Sequence, residues 1–436
     1  MSIKKVPKKP SFFQFFLYWL KLGFISFGGP AGQISMMHQE LVEKRRWISE
    51  HRFLHALNYT MILPGPEAQQ LATYIGWLMF GVGGGLVAGI LFVLPSLFIL
   101  SALTWVYLAY GDISAVSGIL YGIKPAVTAI VLFAAYRIGR KALSNNVLRI
   151  LAVLAFIAIY QFSIPFPYIV LSAVIIGYIG AKLSPNTFKS GTHHGNTKDN
   201  LAPALIDDDT PIPNYAKFKW SRLIGFAVIG IGLGFLVMSQ LDSKVLQTMG
   251  IFFTKAAVVT FGGAYAVLPY IYQGGVDQYQ WLTAHQMMDG LALGETTPGP
   301  LIMVVAFVGF VGATVKEIFG PEQILIAGFV GALVATFFTF LPSFLFIFLG
   351  GPGIEATRGN LKFSAPLSAV TASVVGVIVN LAVFFALATL YQNQQINWVS
   401  LAITGAAFIA LFRFKISIMS VIAVSALIGF GLTILA

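Results

Sequence analysis

Three short strings occur twice in this chain at one spacing. Phe27-Gly28-Gly29 returns as Phe261-Gly262-Gly263, Trp47-Ile48-Ser49 as Trp281-Leu282-Thr283, and Pro64-Gly65-Pro66 as Pro298-Gly299-Pro300, each displaced by 234 residues. The same displacement aligns Lys21 with Lys255 and His51 with His285, and twelve of the 46 positions from 21 to 66 are identical in the second copy. Most of the retained residues are Gly, Pro, Trp and Lys rather than the aliphatics that any two apolar segments share, so the strings mark a duplicated unit. Beyond this block the register slips, and Leu94-Pro95-Ser96 returns as Leu341-Pro342-Ser343 after an insertion. The chain is therefore expected to fold as two homologous halves.

Each half has to live in lipid. Hydrophobic residues make up 57% of the chain and charged residues 10%, with a mean hydropathy of +0.82. A soluble domain carries about 25% charged and 45–50% apolar residues. Helices close their own backbone hydrogen bonds, so the expected fold class is an all-α polytopic membrane protein. The absence of cysteine excludes disulfides, thiol catalysis and cysteine-ligated metals. The net charge of +11 sits in short clusters between apolar segments, as in chains oriented by cytoplasmic Lys and Arg, and leaves no solvated basic face for nucleic acid. Lys4, Lys5, Lys8 and Lys9 precede an apolar run that Lys21 interrupts, and no small-residue cleavage site follows, so the N-terminus reads as a retained tail.

The halves are expected at 1–183 and 220–436, separated by a polar linker at 184–219. The linker holds His193-His194 and Asp207-Asp208-Asp209, and is too polar to bury enough surface to fold by itself. A metal site there is the weaker alternative to a solvated connector, and no metal or cofactor is expected. The loop after the first Gly-Gly-Pro turn carries Lys44, Arg45, Arg46 and Arg52, whereas its counterpart from Gly274 to Ala284 carries no basic residue. One structural unit facing opposite sides is the mark of an inverted-topology repeat. Broken or re-entrant hairpins are expected near 12–43 and 248–273, with tips at Gly-Gly and at Pro-Gly-Pro. Full spans are expected near 85–110, 115–136, 147–161 and 165–182, a reversing span at 221–240, and then 323–349, 363–390, 398–412 and 416–435.

Bare backbone at membrane depth is tolerated only when buried in protein or lining a watery cavity. Proline suits a first helical turn, so helix N-termini are expected near Pro66 and Pro300. Such a terminus offers free N–H groups and about half a positive charge, which suits an anion. Ordinary kinks are the alternative, and four breaks in mirrored positions speak against it. Lys21 and Lys255 lie six residues ahead of the matched Phe-Gly-Gly turns and would supply counter-charge, with snorkelling to the interface the alternative. The expected substrate-binding set is Lys21, Ser26, Gly28, Gly29, Pro64, Gly65, Pro66, Lys255, Thr260, Gly262, Gly263, Pro298, Gly299 and Pro300. Glu67 and Glu295 flank the two breaks and are candidates for coupling to a proton gradient, helix capping being the alternative for Glu67. Lys124, Asp289, His51 and His285 complete the candidates.

No phosphate-binding loop, His-Glu-x-x-His or Gly-x-Ser-x-Gly string occurs, so enzymatic activity is not expected. With these motifs the chain resembles the chromate ion transporter family. The resemblance is carried by Leu22-Gly23, Ser26-Phe27-Gly28-Gly29-Pro30-Ala31-Gly32-Gln33, Met37-His38, Glu40, Trp47 and Leu63-Pro64-Gly65-Pro66-Glu67. Gln70, Ala72, Tyr74, Gly76-Trp77, Ala88-Gly89 and Phe92-Val93-Leu94-Pro95 continue it, and Phe261-Gly262-Gly263-Ala264, Leu268-Pro269, Trp281 and Asp289 to Pro300 are the second-half counterparts. It spans the chain outside the linker and is to the two-domain form, whose halves are oppositely oriented. The resemblance implies a multi-pass protein of the bacterial inner membrane that exports chromate, a tetrahedral dianion like sulfate, driven by an ion or proton gradient, and confers chromate resistance. Sulfate or another oxyanion, and a passive anion channel of the same architecture, are the alternatives. The implied partners are the oxyanion and the lipid bilayer; a homo-oligomer stays an open alternative.

Overall fold

The computed structural model describes residues 7–27, 29–111, 113–183, 203–207, 209–211, 213–261, 263–356, 364–392 and 395–435. Apolar runs become helices because lipid offers an open backbone no partner, and polar caps and prolines mark where each begins. Ser11 opens α1 (Phe12–Ile25) by accepting from Gln14 N–H while the Gln14 side chain accepts from Ser11 N–H, a reciprocal cap. α2 (Gly29–His38) runs into a π-helical turn, Gln39–Lys44. α3 (Glu50–Ile62) leads to the Pro64–Pro66 break, after which α4 (Glu67–Tyr110) continues through non-helical backbone at Phe80 and Gly81. α5 (Ser114–Ala142), α6 (Asn146–Tyr160) and α7 (Phe166–Leu183) complete the first half. α8 (Trp220–Ser239) joins it to the second.

The second half repeats this order. It comprises α9 (Lys244–Val259), α10 (Ala264–Tyr272) with a π-helical turn at Gln273–Gln278, and α11 (Ala284–Thr296). A 3-10 turn at Leu301–Met303 leads into α12 (Val304–Val315), and another at Pro321–Gln323 into α13 (Ile324–Ala356). α14 (Ser364–Leu390) is followed by the two-residue antiparallel strands β1 (Tyr391–Gln392) and β2 (Gln395–Ile396), then α15 (Trp398–Phe412) and α16 (Ile418–Leu435). The 234-residue displacement maps both ends of the first π-helical turn onto the second, and both ends of α3 onto α11. The duplicated Trp-Ile-Ser and Trp-Leu-Thr strings have a structural purpose. Ser49 Oγ accepts from Arg52 N–H and Thr283 Oγ1 from Gln286 N–H, capping α3 and α11, while Trp47 and Trp281 are buried.

Among the described residues six helices are long and apolar enough to cross a membrane: Glu67–Tyr110, Ser114–Ala142, Trp220–Ser239, Pro321–Glu355, Ser368–Leu390 and Ile418–Leu435. The fold is all-α and polytopic. α6 and α15 have 15 residues each, just below the roughly 17 needed for a perpendicular crossing. α8 exposes Val228, Ile231 and Phe235 almost all round, as a helix bathed in lipid does. It is a single apolar helix between the two equivalent sets.

The polar connector departs from the solvated linker expected of it. Its described part docks on the first half: Leu205 and Ile206 N–H donate to Arg46 and Trp47 carbonyls at 2.9 and 3.0 Å, and Ser49 N–H donates to Ile206 O at 2.9 Å. Tyr215 OH donates to Leu78 O at 2.7 Å beside the Phe80–Gly81 kink, and Ala204, Ile206 and Ala216 are buried. Few apolar residues suffice because the preformed half supplies the rest of the core. His193 and His194 lie outside the described residues. On the same side Glu40 is held below the usual carboxylate range: partial burial pulls it up, but hydrogen bonds from Arg45 and Lys44 outweigh that.

Opposite insertion is tested in the naturally cysteine-free chain by single Glu43→Cys and Asp277→Cys variants, equivalent exposed positions on the two π-helical turns. An impermeant maleimide added to intact cells is expected to label the second and spare the first. Labelling of both from one side contradicts the inverted arrangement.

Candidate functional site

The two breaks are each pinned by a helix end of the opposite half. Gly65 N–H donates to Thr260 O at 2.8 Å, and Gly299 N–H donates to Ser26 O at 2.9 Å. Under the 234-residue displacement each bond is the image of the other, the reciprocity of a twofold interface realised within one chain. Ser26 and Thr260 terminate α1 and α9, whose last carbonyls have no partner in their own helices. The breaks orphan an N–H, the helix ends orphan a carbonyl, and the halves cross so that each satisfies the other.

Gly65 and Gly299 lie in the left-handed region at φ +119° and +113°. A Cβ at Gly65 would stand 2.6 Å from Ser343 Oγ, and one at Gly299 2.6 Å from Ser96 Cβ. Ser96 and Ser343 are the paired Leu-Pro-Ser serines, so the second duplicated string closes over the first. Pro66 caps α4 and Pro300 the turn that starts the α12 segment, so both expected helix starts are present. Pro298 and Pro300 are buried and Pro64 is half-buried.

Two glutamines absent from the sequence-derived set hold this crossing. Gln33 Nε2 donates to Ser26 O at 3.2 Å and also to Gly299 O, and Gln70 Nε2 donates to Pro64 O at 2.7 Å. Gln33 Oε1, Gln70 Oε1, Ser26 Oγ and Ser343 Oγ are buried with no hydrogen-bond partner among the described residues. A buried polar atom without a partner is costly, so these four are the polar atoms of the crossing that the described residues leave unpaired. Their signal in the sequence is a glutamine inside an otherwise apolar and glycine-rich string.

The remaining candidates separate. Gly28 and Gly262 lie outside the described residues. Gly29 starts α2, and Gly263 caps α10. Lys21 is exposed on the α1 stripe shared by exposed Phe13, Leu17 and Phe24, and Lys255 on the α9 stripe of Ile251 and Val258. Neither enters the crossing, which corrects their expected place there; their helices turn the opposite faces inward, and long stems let ammonium groups snorkel. Glu67 opens α4, with Oε1 3.7 Å from where a Gly263 Cβ would stand. Glu295 is buried and accepts a hydrogen bond from Tyr265 OH. Both carboxylates therefore gather at the second turn, within electrostatic reach of Lys141 and Arg137 at the exposed end of α5. His51 and His285 are exposed near the starts of α3 and α11.

Two ion pairs join the halves elsewhere. Arg52 Nη2 on α3 donates to Glu355 Oε2 on α13 at 2.8 Å, both side chains sealed, and Tyr74 OH donates to the other Glu355 oxygen. Lys124 Nζ on α5 stands 3.5 Å from Asp289 Oδ2 on α11, and Tyr107 OH on α4 donates to that oxygen at 3.0 Å.

Fold and site together define a polytopic membrane protein of two equivalent halves, crossed through paired helix breaks. The chain belongs to the chromate transporter family, whose profile matches residues 13–178 and 247–430. It is 30% identical over 420 residues to a chromate transport protein of Cupriavidus metallidurans, covering 95% of this chain and 92% of that protein. It is also 30% identical over 433 residues to a chromate transport protein of Pseudomonas aeruginosa, covering 98% and 94%. A probable chromate transport protein of Synechococcus elongatus is 30% identical over 361 residues, covering 83% and 81%. No solved structure matches the chain.

Two stability predictions follow from this geometry. Gly65→Ala and Gly299→Ala should each cost about 1–3 kcal/mol and lower the melting temperature in detergent, since both the left-handed backbone and the facing serine resist a Cβ. Gly83→Ala, with nothing within 4 Å of the new Cβ, should leave it unchanged or raised. Arg52→Leu should cost about 3–5 kcal/mol by stranding Glu355, and the Arg52→Leu/Glu355→Leu double variant should recover much of the loss in the same melting assay.

Proposed function

We propose that the chain carries chromate out across the plasma membrane as a secondary active transporter, and thereby confers chromate resistance. The observation that carries this reading is the reciprocal crossing, Gly65 N–H to Thr260 O and Gly299 N–H to Ser26 O. Discontinuous helices paired across two equivalent halves are how alternating-access carriers build a site near the bilayer midplane. The starts of α4 and the α12 segment, with the buried polar atoms of Ser26, Gln33, Gln70 and Ser343, form the substrate centre in this reading. Helix N-termini suit a tetrahedral oxyanion without any bound metal. The family and the names of the relatives supply chromate; sulfate has the same shape and charge.

The exposed end of α5, with Arg137, Arg140 and Lys141, is the cytoplasmic mouth in this reading, and it draws anions toward Glu67 and Glu295. Those two carboxylates relay protons between that side and the transport pathway, and so couple transport to the ion gradient. The test is flux in proteoliposomes of the purified protein with chromate or sulfate under an imposed pH gradient or potential. Chromate should accumulate above its equilibrium distribution, and Glu67→Gln and Glu295→Gln should lose that response. Equilibration without accumulation means a passive channel. Stronger flux of sulfate than chromate reassigns the substrate.

A further inference from the structure

α5 and α11 lie side by side and run in the same direction: His285 and Asp289 face Lys124, and Glu295 near the end of α11 is within reach of Arg137. Lys124 is about 20 Å before Arg137 along the helix axis, so it sits well inside the span from the basic mouth. An intramembrane lysine paired with a carboxylate marks a functional site by default. The contrast with Arg52 and Glu355 is informative. That pair closes at 2.8 Å with side chains 5% and 0% exposed, whereas Lys124 and Asp289 stand 3.5 Å apart, with Lys124 25% exposed and Asp289 2%. Asp289 Oδ1 is buried and has no partner among the described residues.

We propose that Lys124, Asp289 and Tyr107 form an anion site that takes an oxyanion and a proton together. The proposal rests on the transport reading above and specifies its coupling. With Asp289 ionised the pair is neutral, and its carboxylate repels an arriving anion. A proton relayed to Oδ1 removes this charge and leaves the Lys124 ammonium unbalanced. The new O–H then needs an acceptor, and an oxyanion oxygen supplies one while Lys124 N–H groups bind a second oxygen. Tyr107 keeps its hydrogen bond to Oδ2 and holds the carboxyl in place. Release reverses these steps: the proton leaves Oδ1 with the anion and the ion pair reforms. One proton thus crosses with each anion in the same direction, a dianion moves as a single net negative charge, and an inside-negative potential pushes it outward.

The groups facing Asp289 are few. α4 contributes Tyr107, α5 contributes Lys124, and α11 itself carries His285 one turn away. α12, α14 and α16, which also pack on α11, carry no titratable side chain. The pH response of this site therefore belongs to Asp289, with His285 the one neighbour able to modify it.

The experiment follows proton movement with an entrapped pH dye during chromate flux in proteoliposomes, at clamped potential and in alkaline buffer where the free anion is fully deprotonated. The wild type should move protons in the direction of chromate. Asp289→Asn should slow chromate counterflow and, for the chromate still carried, lose the accompanying proton signal and the pH dependence of flux, while Asp289→Glu keeps both. Lys124→Gln should weaken chromate flux about tenfold or more, the cost of losing a charge-assisted hydrogen bond to a ligand, with Lys124→Arg partly active. Proton movement opposite to chromate overturns the proposal, as does an unchanged proton signal in Asp289→Asn. Chromate flux without a proton signal in Asp289→Glu, which keeps a carboxyl at that place, also overturns it. Absence of flux of chromate and sulfate in the wild type itself removes the transport reading, a result none of the variants can mimic.

Discussion

A helix broken inside a membrane leaves donors and acceptors that lipid cannot satisfy, and this chain breaks its helices at four equivalent places. The architecture follows from how those orphans are paired. Gly65 and Gly299 present N–H groups freed by the Pro-Gly-Pro breaks, and Thr260 and Ser26 present carbonyls freed by the ends of α9 and α1. Each half holds what the other lacks. Separating the halves would expose all four groups at once, at several kilocalories per group in hydrocarbon. The two repeats thus close each other's backbone, the break of one meeting the helix end of the other.

Around that crossing the polar residues are arranged asymmetrically. Gln33 and Gln70 hold the two breaks, but neither has a glutamine at the equivalent position, where valine stands. The carboxylates Glu67 and Glu295 both gather at the second Phe-Gly-Gly turn, under the basic end of α5. The equivalent helices α3 and α11 carry opposite charge in the two pairs: the base Arg52 on α3 meets an acid on α13, and the acid Asp289 on α11 meets a base on α5. A symmetric scaffold carrying asymmetric charge gives the two sides of the membrane different tasks.

The residues most legible in sequence were those whose role is local. Pro66 and Pro300 start helices because a proline N1 or cap needs no backbone donor, and that holds wherever the chain lies. Ser49 and Thr283 were legible only as a repeated pair, and the structure makes them caps that accept from the N–H three residues ahead. Lys21 and Lys255 were legible as a pair but not in direction, because a register of six residues before a turn does not say which face of α1 or α9 is covered. The roles of Gln33, Gln70 and Tyr265 were hidden: Gln33 and Tyr265 reach partners in another segment, and Gln70 turns back on the Pro64 carbonyl across a break whose path no spacing announces. The docking of Leu205, Ile206 and Tyr215 was hidden for a related reason: composition speaks of what a segment buries alone, not of what a neighbour lends it.

The sequence by itself determined that this is a membrane protein of two homologous halves, where the helices break, and that the breaks recur in pairs. Those are consequences of hydropathy, proline and glycine, which act over one helical turn. Only the tertiary structure decided which orphaned N–H meets which orphaned carbonyl, that the duplicated lysines face outward, and that Lys124 meets Asp289 across α5 and α11. Those outcomes depend on which faces of two helices touch, and in lipid that choice is made by satisfying buried polar groups, partner by partner.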